Sequence, residues 1–312
     1  MDAPKADTNS GLADRIKTGV VLALTVLLII WLPATVKIPA IDQLFPASYT
    51  FESLHLTVHR HPKFFFGFLA VAFSFIGFRE FAGMVTHRGI VLERTGGILA
   101  AALTVLVATA GNFTWMNLAF FFSVALLAWA HILRGMAHHT IAGLAASVLG
   151  VVYLGWLPAH LVLIYMQPAV GPGLVTMLIA TVAMSDTGAY FTGRAIGKHK
   201  MAPHTSPKKT WEGAAGGLLI AMLTGAVIYA LRKYAGMDDL PAYSLAWYLA
   251  TGAILSVVSQ IGDLVESMLK RDADVKDSGS IFPGHGGILD RCDGILFAAP
   301  ALYYLLSFEK GI

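Results

Sequence analysis

Residues 174–194, LVTMLIATVAMSDTGAYFTGR, decide the kind of fold that this chain can adopt. As a helix they are long and apolar enough to cross about 30 Å of hydrocarbon. Asp186 lies in the second half of the stretch, where an ionised side chain costs about 2.5–3.5 kcal/mol on insertion scales. Acids in such positions are usually functional and face the protein interior. The stretch therefore predicts a membrane helix that contributes to a polar site.

Apolar runs of this kind recur along all 312 residues, and they predict the fold class. The chain is 56% hydrophobic and 13% charged, with a mean hydropathy of +0.67, which lies outside the usage of soluble globular domains. Because no linker or low-complexity run divides it, we predict one all-α, polytopic integral membrane domain over residues 1–312. About nine transmembrane helices are expected, at 18–36, 64–85, 96–112, 115–133, 141–166, 170–192, 213–231, 245–268 and 288–308.

The basic residues predict how these spans are oriented. With nine spans and a cytoplasmic N-terminus, most of the 22 lysines and arginines lie on the cytoplasmic side, as the positive-inside rule requires. The same orientation places the two most polar loops, 193–212 and 269–287, on the cytoplasmic face, where nucleotides are found. Arg79 lies within a span, and the basic residues on the outer side are Lys37, Arg60, Lys63, Arg232, Lys233 and Lys310.

The first polar segment, residues 185–213, suits a polyphosphate. Asp186, Tyr190 and Arg194 are four residues apart, so one helix face carries an acid, a phenol and a guanidinium. Lysines and turn-forming glycines follow, around which backbone N–H groups can converge on phosphate. Lysines that merely flank a membrane helix would explain the basic loop, but they would not explain Asp186. The lysines are Lys198, Lys200, Lys208 and Lys209.

The second polar segment, residues 267–293, interrupts the apolar chain with acids, bases and glycines. Asp263 and Lys270 share one face of the eighth span, and Asp290 and Asp293 lie three apart at the start of the last span. The three aspartates can therefore converge from two helices near the membrane interface. Mg²⁺ accepts a few carboxylates completed by substrate phosphates and water. The alternative interpretation is a surface loop whose charges form salt bridges.

Both polar segments contain a spaced motif. In the first, Ser-Asp-Thr at 185–187 is followed by Ser-Pro-x-Lys-Thr-x-Glu-Gly at 206–213. In the second, Ser267, Lys-Arg and Lys-Asp are followed by His-Gly-Gly, two residues, Asp-Arg, one residue and Asp at 285–293. This pattern resembles the phosphatidate cytidylyltransferase (CDP-diacylglycerol synthase) family over residues 180–300. Residues 1–170 resemble the family only in being apolar spans.

The resemblance implies a reaction and a set of site residues. The phosphate of phosphatidic acid would attack the α-phosphorus of CTP, releasing pyrophosphate and leaving CDP-diacylglycerol in the bilayer. Such a transfer needs positioning and charge neutralisation more than covalent chemistry. We expect Mg²⁺, with room for a second cation, on Asp263, Asp290 and Asp293, and phosphates on Lys208, Lys209, Lys270 and Arg271. Asp186, Arg194, Ser206, Glu212, Lys276, Asp277, His285 and Arg291 would complete the pocket.

Partners, location and domain roles follow from the implied reaction. The expected partners are CTP, phosphatidic acid and membrane lipids, with no nucleic acid. Small residues in the spans permit the close helix packing that a homodimer would need. The chain would lie in a bacterial cytoplasmic membrane with its active site facing the cytoplasm. Residues 1–170 would form N-terminal helices, and residues 171–312 would form the catalytic helices and cytoplasmic loops.

Two other functions remain open for the same residues. A CTP-dependent lipid kinase would move the γ-phosphate to a polyprenol, and it would need a base that activates the hydroxyl. A cation-coupled transporter would also contain intramembrane aspartates, but its site would lie at the midplane between symmetric repeats. The crowding of charges at the cytoplasmic mouth favours the transferase.

Single residues in two of the spans carry further expectations. Arg79 and Glu80, near the end of the second span, should pair with each other or with neighbours, and a role in binding a lipid headgroup is the alternative. Cys292 and Gly294 depart from the family pattern, since an aliphatic residue or threonine is usual at the first position and a larger residue at the second. At about 100° per residue, Cys292 points roughly 130° away from the mean direction of Asp290 and Asp293. We therefore expect its thiol to face helix packing and not a metal.

Overall fold

Helices make up nearly all of the structure. The computed structural model describes residues 27–28, 30–31, 48–51, 56–59, 64–133, 140–279, 281 and 286–310. Within that part of the chain the helices are α1 (Phe64–His87), α2 (Arg94–Ala108), α3 (Phe113–Leu133), α4 (Thr140–Val151), α5 (Leu157–Tyr165), α6 (Gly171–Ile196), α7 (Trp211–Ala235), α8 (Leu245–Asp272) and α9 (Leu289–Lys310).

The helices confirm the predicted fold class. A π-helical turn, Val152–Trp156, joins α4 to α5, so the two run on as one apolar helix. Among the described residues, six helices are long and apolar enough to cross a membrane, namely α1, α3, the joined α4 and α5, α6, α7 and α8. Each predicted span from residue 64 onward corresponds to one of these helices, to α2 or to α9, within a few residues. The predicted span at 18–36 lies mostly outside the described residues. The chain is an all-α polytopic membrane protein.

Local sequence explains where the helices near the polar loops begin and end. Thr210 has an extended backbone, and its Oγ1 accepts a hydrogen bond from Gly213 N at 3.1 Å, which caps α7. Ser244 caps α8 in the same way by accepting from Trp247 N at 3.2 Å. The other end of α7 stops at Gly236, whose φ of 70° is a left-handed conformation that glycine adopts without strain.

Two short antiparallel hairpins are exceptions to the helical fold. Strand β1 (Ser48–Phe51) pairs with β2 (Leu56–His59), and β3 (Lys200–Ala202) pairs with β4 (Ser206–Thr210). The sequence analysis predicted neither hairpin. The second hairpin lies inside the first polar segment, immediately before α7, and it therefore contributes directly to the site.

Small residues let α6, α7 and α8 approach one another closely. A Cβ at Gly188 in α6 would run into Ile220 of α7, and one at Gly252 in α8 would run into the backbone of Ala221. Since such glycines allow backbones to approach in a membrane, these three helices form the tightest part of the bundle. The first polar segment runs from the end of α6 through the β3–β4 hairpin to the start of α7, so it belongs to this closely packed region.

Candidate active site

A cavity of about 480 Å³ lies between α6, α7, α8 and the β3–β4 hairpin. Asp186, Tyr190 and Arg194 all line it, so the predicted helix face is confirmed. Arg194 Nη1 donates a hydrogen bond to Tyr190 Oη at 3.0 Å, which holds the guanidinium beside the phenol. The other lining residues are Ala189, Gly193, Met201, Lys208, Lys209, Thr210, Gly213, Ala214, Gln260 and Asp263.

An ion pair joins the two polar segments at this cavity. Lys209 Nζ at the end of the hairpin lies 2.5 Å from Asp263 Oδ2 on α8. Further along α8, Arg271 Nε donates to the carbonyl oxygen of Thr205 in the hairpin turn at 3.3 Å. The hairpin is therefore held against α8 at two points. Segments that are far apart in the chain therefore meet at this cavity, and the assignment of Lys209 to phosphate and of Asp263 to the metal stays a prediction.

Two further carboxylates, those of Asp186 and Asp293, lie near this ion pair. Asp186 interacts electrostatically with Asp263 and with the Lys209 ammonium, and Asp293 interacts with all three of these groups. Helices α8 and α9 are in close contact here, because a Cβ at Gly262 would meet the backbone oxygen of Asp293. Hard oxygen donors gathered around a single lysine are a set that suits a divalent cation.

The carboxylates do not form a complete metal centre by themselves. Over the described ranges, no group of three or more histidine, cysteine, aspartate or glutamate side chains is arranged to hold a metal ion. A cation bound near Asp263 and Asp293 would therefore take further ligands from substrate phosphates and water, which is the usual way that Mg²⁺ binds in phosphate-transferring sites. The donor chemistry fits Mg²⁺, and the assignment of the ion stays a prediction.

Asp290, the third predicted metal ligand, belongs to a second polar cluster. Its Oδ1 accepts a hydrogen bond from Lys270 Nζ at 2.7 Å. Its Oδ2 accepts from Gly287 N at 2.7 Å and lies 2.9 Å from both the backbone nitrogen and the hydroxyl of Ser278. Lys270 also pairs with Glu266 at 2.7 Å, and the Glu266 side chain is only 1% exposed.

This pairing changes the expected roles of Lys270 and Asp290. The sequence analysis assigned Lys270 to a phosphate and Asp290 to the metal, whereas the structure pairs these two side chains with each other. To bind a ligand directly, Asp290 would have to exchange the Lys270 ammonium for the metal. Lys270 would likewise have to leave a carboxylate in order to bind phosphate.

The remaining predicted residues in the first segment support the hairpin. Glu212 accepts hydrogen bonds from the backbone nitrogens of Lys198 at 3.1 Å and His199 at 3.2 Å, and it also bonds to His199 Nδ1 at 2.5 Å. Ser206 begins β4 opposite Ala202. Neither Glu212 nor Ser206 lines the cavity. They position the chain that presents Lys208 and Lys209.

Three of the remaining predicted residues in the second segment lie away from the cavity. Lys276, Asp277 and Arg291 are exposed and do not line the cavity. His285 lies outside the described residues. Cys292 packs against an apolar cluster that includes Phe78 of α1, which confirms that it faces helix packing.

Two residues contribute to the site without having been predicted from the sequence. Gln260 lines the cavity one helical turn before Asp263, and its Nε2 donates to Ser256 Oγ at 3.0 Å. Its position within an apolar span, one turn from an acid, was a usable signal. The Glu80 carboxylate accepts a hydrogen bond from Ile288 N at the start of α9. Since that contact joins positions 208 residues apart, local sequence offered no signal for it.

Comparison with known proteins identifies the family. A model of the cytidylyltransferase family matches residues 47–308. The phosphatidate cytidylyltransferase of Bacillus subtilis (strain 168) is 48% identical over 137 residues, which are 43% of this chain and 48% of the relative. That of Brucella suis is 43% identical over 154 residues, 49% of this chain and 54% of the relative. That of Synechocystis is 33% identical over 264 residues, 74% of this chain and 85% of the relative. The chain thus spans about half the length of the first two relatives and most of the third, and it belongs to the cytidylyltransferase family.

Proposed function

We propose that this protein transfers the cytidylyl group of CTP to phosphatidic acid, giving CDP-diacylglycerol and pyrophosphate. The observation that carries the proposal is the cavity in which Lys208, Lys209 and Arg194 lie beside the carboxylates of Asp186 and Asp263. Cationic donors of this kind suit the phosphates of a nucleotide, and adjacent carboxylates suit the divalent cation that accompanies it. Family membership and the names of the relatives support the same substrates.

The basic residues of the cavity would bind the triphosphate and orient its α-phosphorus. Lys208 and Lys209 extend from the hairpin, and Arg194 approaches from α6, so the nucleotide phosphates would be held from two sides. Lys209 would interact with both the nucleotide phosphates and Asp263, because it already forms an ion pair with Asp263. Mg²⁺, when held by Asp263 and Asp293, would neutralise phosphate charge and polarise the α-phosphoryl group.

The nucleophile in this proposal needs positioning rather than activation. A phosphate monoester is already ionised at neutral pH, so no base has to remove a proton from it. An oxygen of the lipid phosphate would form a bond to the α-phosphorus, while the bond from that phosphorus to the bridging oxygen breaks and pyrophosphate leaves. Holding the two reactants in line supplies much of the rate enhancement in such transfers.

The proposed location is a bacterial cytoplasmic membrane, with the cavity open to the cytoplasm. The excess of basic residues on one side of the predicted spans supports this orientation. Leu219, Leu223 and Val227 form an exposed apolar row along α7, at 61%, 60% and 57% exposure. Such a face suits acyl chains or a second copy of the chain, so bilayer lipids and a homodimer are the proposed partners besides the substrates.

One labelling experiment tests the function directly. Purified protein in liposomes would receive Mg²⁺, CTP labelled at the α- or the γ-phosphate, and either phosphatidic acid or a polyprenol. We expect α-label to enter the lipid only with phosphatidic acid. Entry of γ-label into the polyprenol would indicate a lipid kinase, and absence of label from both lipids would refute a CTP-dependent transferase.

A further inference from the structure

Glu80 of α1 reaches across the fold to the start of α9. Its carboxylate accepts hydrogen bonds from Ile288 N at 2.9 Å and from Leu289 N at 3.2 Å. Ser278 Oγ lies 3.2 Å from the same Oε2 atom. Glu80 is 9% exposed. Since the first N–H groups of a helix have no acceptors within that helix, Glu80 caps α9 from a different part of the bundle.

Residues 278–279 and 287–289 approach this carboxylate closely. A Cβ at Gly279 or at Gly287 would meet the Glu80 carboxylate, so these two glycines allow the loop to approach it closely from either side. Ser278 and Gly287 also bond to Asp290, with Ser278 Oγ 2.9 Å and Gly287 N 2.7 Å from its Oδ2. Ser278 and Gly287 therefore lie between the two carboxylates and contact both of them.

A second contact between α1 and the loop is exposed and serves as a comparison. Just after α1, Arg88 Nη1 lies 2.7 Å from Asp274 Oδ2, and the two side chains are 43% and 72% exposed. Exposed ion pairs contribute little to stability because water and salt screen them. Glu80 is thus a buried attachment of α1 to the loop, and Arg88 is an exposed one.

We propose that Glu80 is a positioning residue for the cytidylyl transfer. Glu80 accepts the first N–H groups of α9 and contacts Ser278 in the loop before it. These contacts set the orientation of Asp290 and, one turn later, of Asp293. The inference rests on the proposed function, since it assigns Glu80 a role in the same site. A displacement of about 1 Å in a reacting group can lower a rate about 100-fold.

The test compares Glu80→Gln with Arg88→Gln in reconstituted protein. Glutamine keeps the volume of the side chain, but it replaces one acceptor oxygen by an NH₂ group. That group cannot accept the hydrogen bonds that the backbone N–H groups of Ile288 and Leu289 donate to Glu80. We expect Glu80→Gln to lower kcat about 10- to 100-fold, with KM for CTP changed less than about threefold, because the cavity residues on α6 and the hairpin do not contact Glu80. Arg88→Gln should stay within about twofold of wild type in both constants.

Cys292 supplies a second measurement that requires no turnover. It is the only cysteine in the chain, and it lies in the first turns of α9, packed against an apolar cluster. If the start of α9 is released, the thiol should react with an apolar maleimide about tenfold faster in Glu80→Gln and at the wild-type rate in Arg88→Gln. This measurement tests the attachment even if wild type transfers no cytidylyl group, an outcome that would refute the proposed function separately.

The combined outcomes decide the proposal. Reduced kcat together with a faster thiol reaction supports it. Wild-type kcat in Glu80→Gln, or reduced kcat with an unchanged thiol reaction, overturns it. Because the glutamine variant could fail to fold, Glu80→Asp is measured in parallel, since it keeps the charge but shortens the reach by one methylene. We expect a loss of at least about tenfold in kcat for this folded variant, and wild-type turnover in it would equally overturn the proposal.

Discussion

Replacing Lys209 by glutamine should separate catalysis from stability. Lys209 Nζ lies 2.5 Å from Asp263 Oδ2, and the two side chains are 25% and 36% exposed. Although both side chains are partly exposed, the Lys209 Nζ atom itself is buried, so losing the pair should lower the free energy of unfolding by more than the roughly 1 kcal/mol typical of an exposed pair. Loss of a cationic group that stabilises the transition state lowers the rate about 10²- to 10³-fold, or about 2.7–4 kcal/mol. Measuring both losses on the same preparations therefore separates the catalytic effect from the structural one.

The assay is the initial rate at which α-labelled CTP enters phosphatidic acid in liposomes, measured over a range of CTP concentrations. Thermal unfolding of the same preparations measures stability. Lys233→Gln is the matched control, because Lys233 lies at the other end of α7 and contacts the rings of Tyr229 and Tyr234 instead of the cavity. If Lys209→Gln retains kcat/KM within about threefold of wild type, or loses no more than Lys233→Gln, the cavity does not bind the nucleotide phosphates as proposed.

Three further predictions concern the second cluster, the sole thiol and the topology. Asp290→Asn should lower cytidylyl transfer more than about 100-fold and also lower the thermal unfolding temperature, because it removes the charge that Lys270 and the loop donors surround; wild-type turnover at saturating Mg²⁺ would contradict this. Cys292→Ala should retain most activity, since the thiol faces packing, and a loss as severe as that of Asp290→Asn would mean that α9 is oriented differently. In a Cys292→Ala background, cysteines at Lys200 and Asp239 should react with an impermeant maleimide from opposite sides of the membrane; labelling from the same side refutes nine spans.

Local patterns in the sequence predicted the helices and one face of the cavity. Hydropathy depends on each segment alone, so the spans from residue 64 onward could be placed before any packing was known. Helical periodicity is also local, and it grouped Asp186, Tyr190 and Arg194 correctly along the cavity wall. The β3–β4 hairpin was missed because its strands are short and polar, without the alternation that identifies a half-buried strand.

The partners of the charged residues were decided by the tertiary structure. Sequence spacing allowed Asp263, Asp290 and Asp293 to converge, yet packing of α8 against α9 and the loop donors placed Asp290 with Lys270 instead. Glu80 likewise bonds to the start of α9 because the bundle brings α1 beside it, not because of any neighbour in sequence. The amino-acid sequence determined the membrane helices and the polar residues on their faces, since both depend on composition and periodicity. The pairing of those residues depended on which helices pack together, because an ion pair or a helix cap forms only where folding brings distant groups within hydrogen-bond reach.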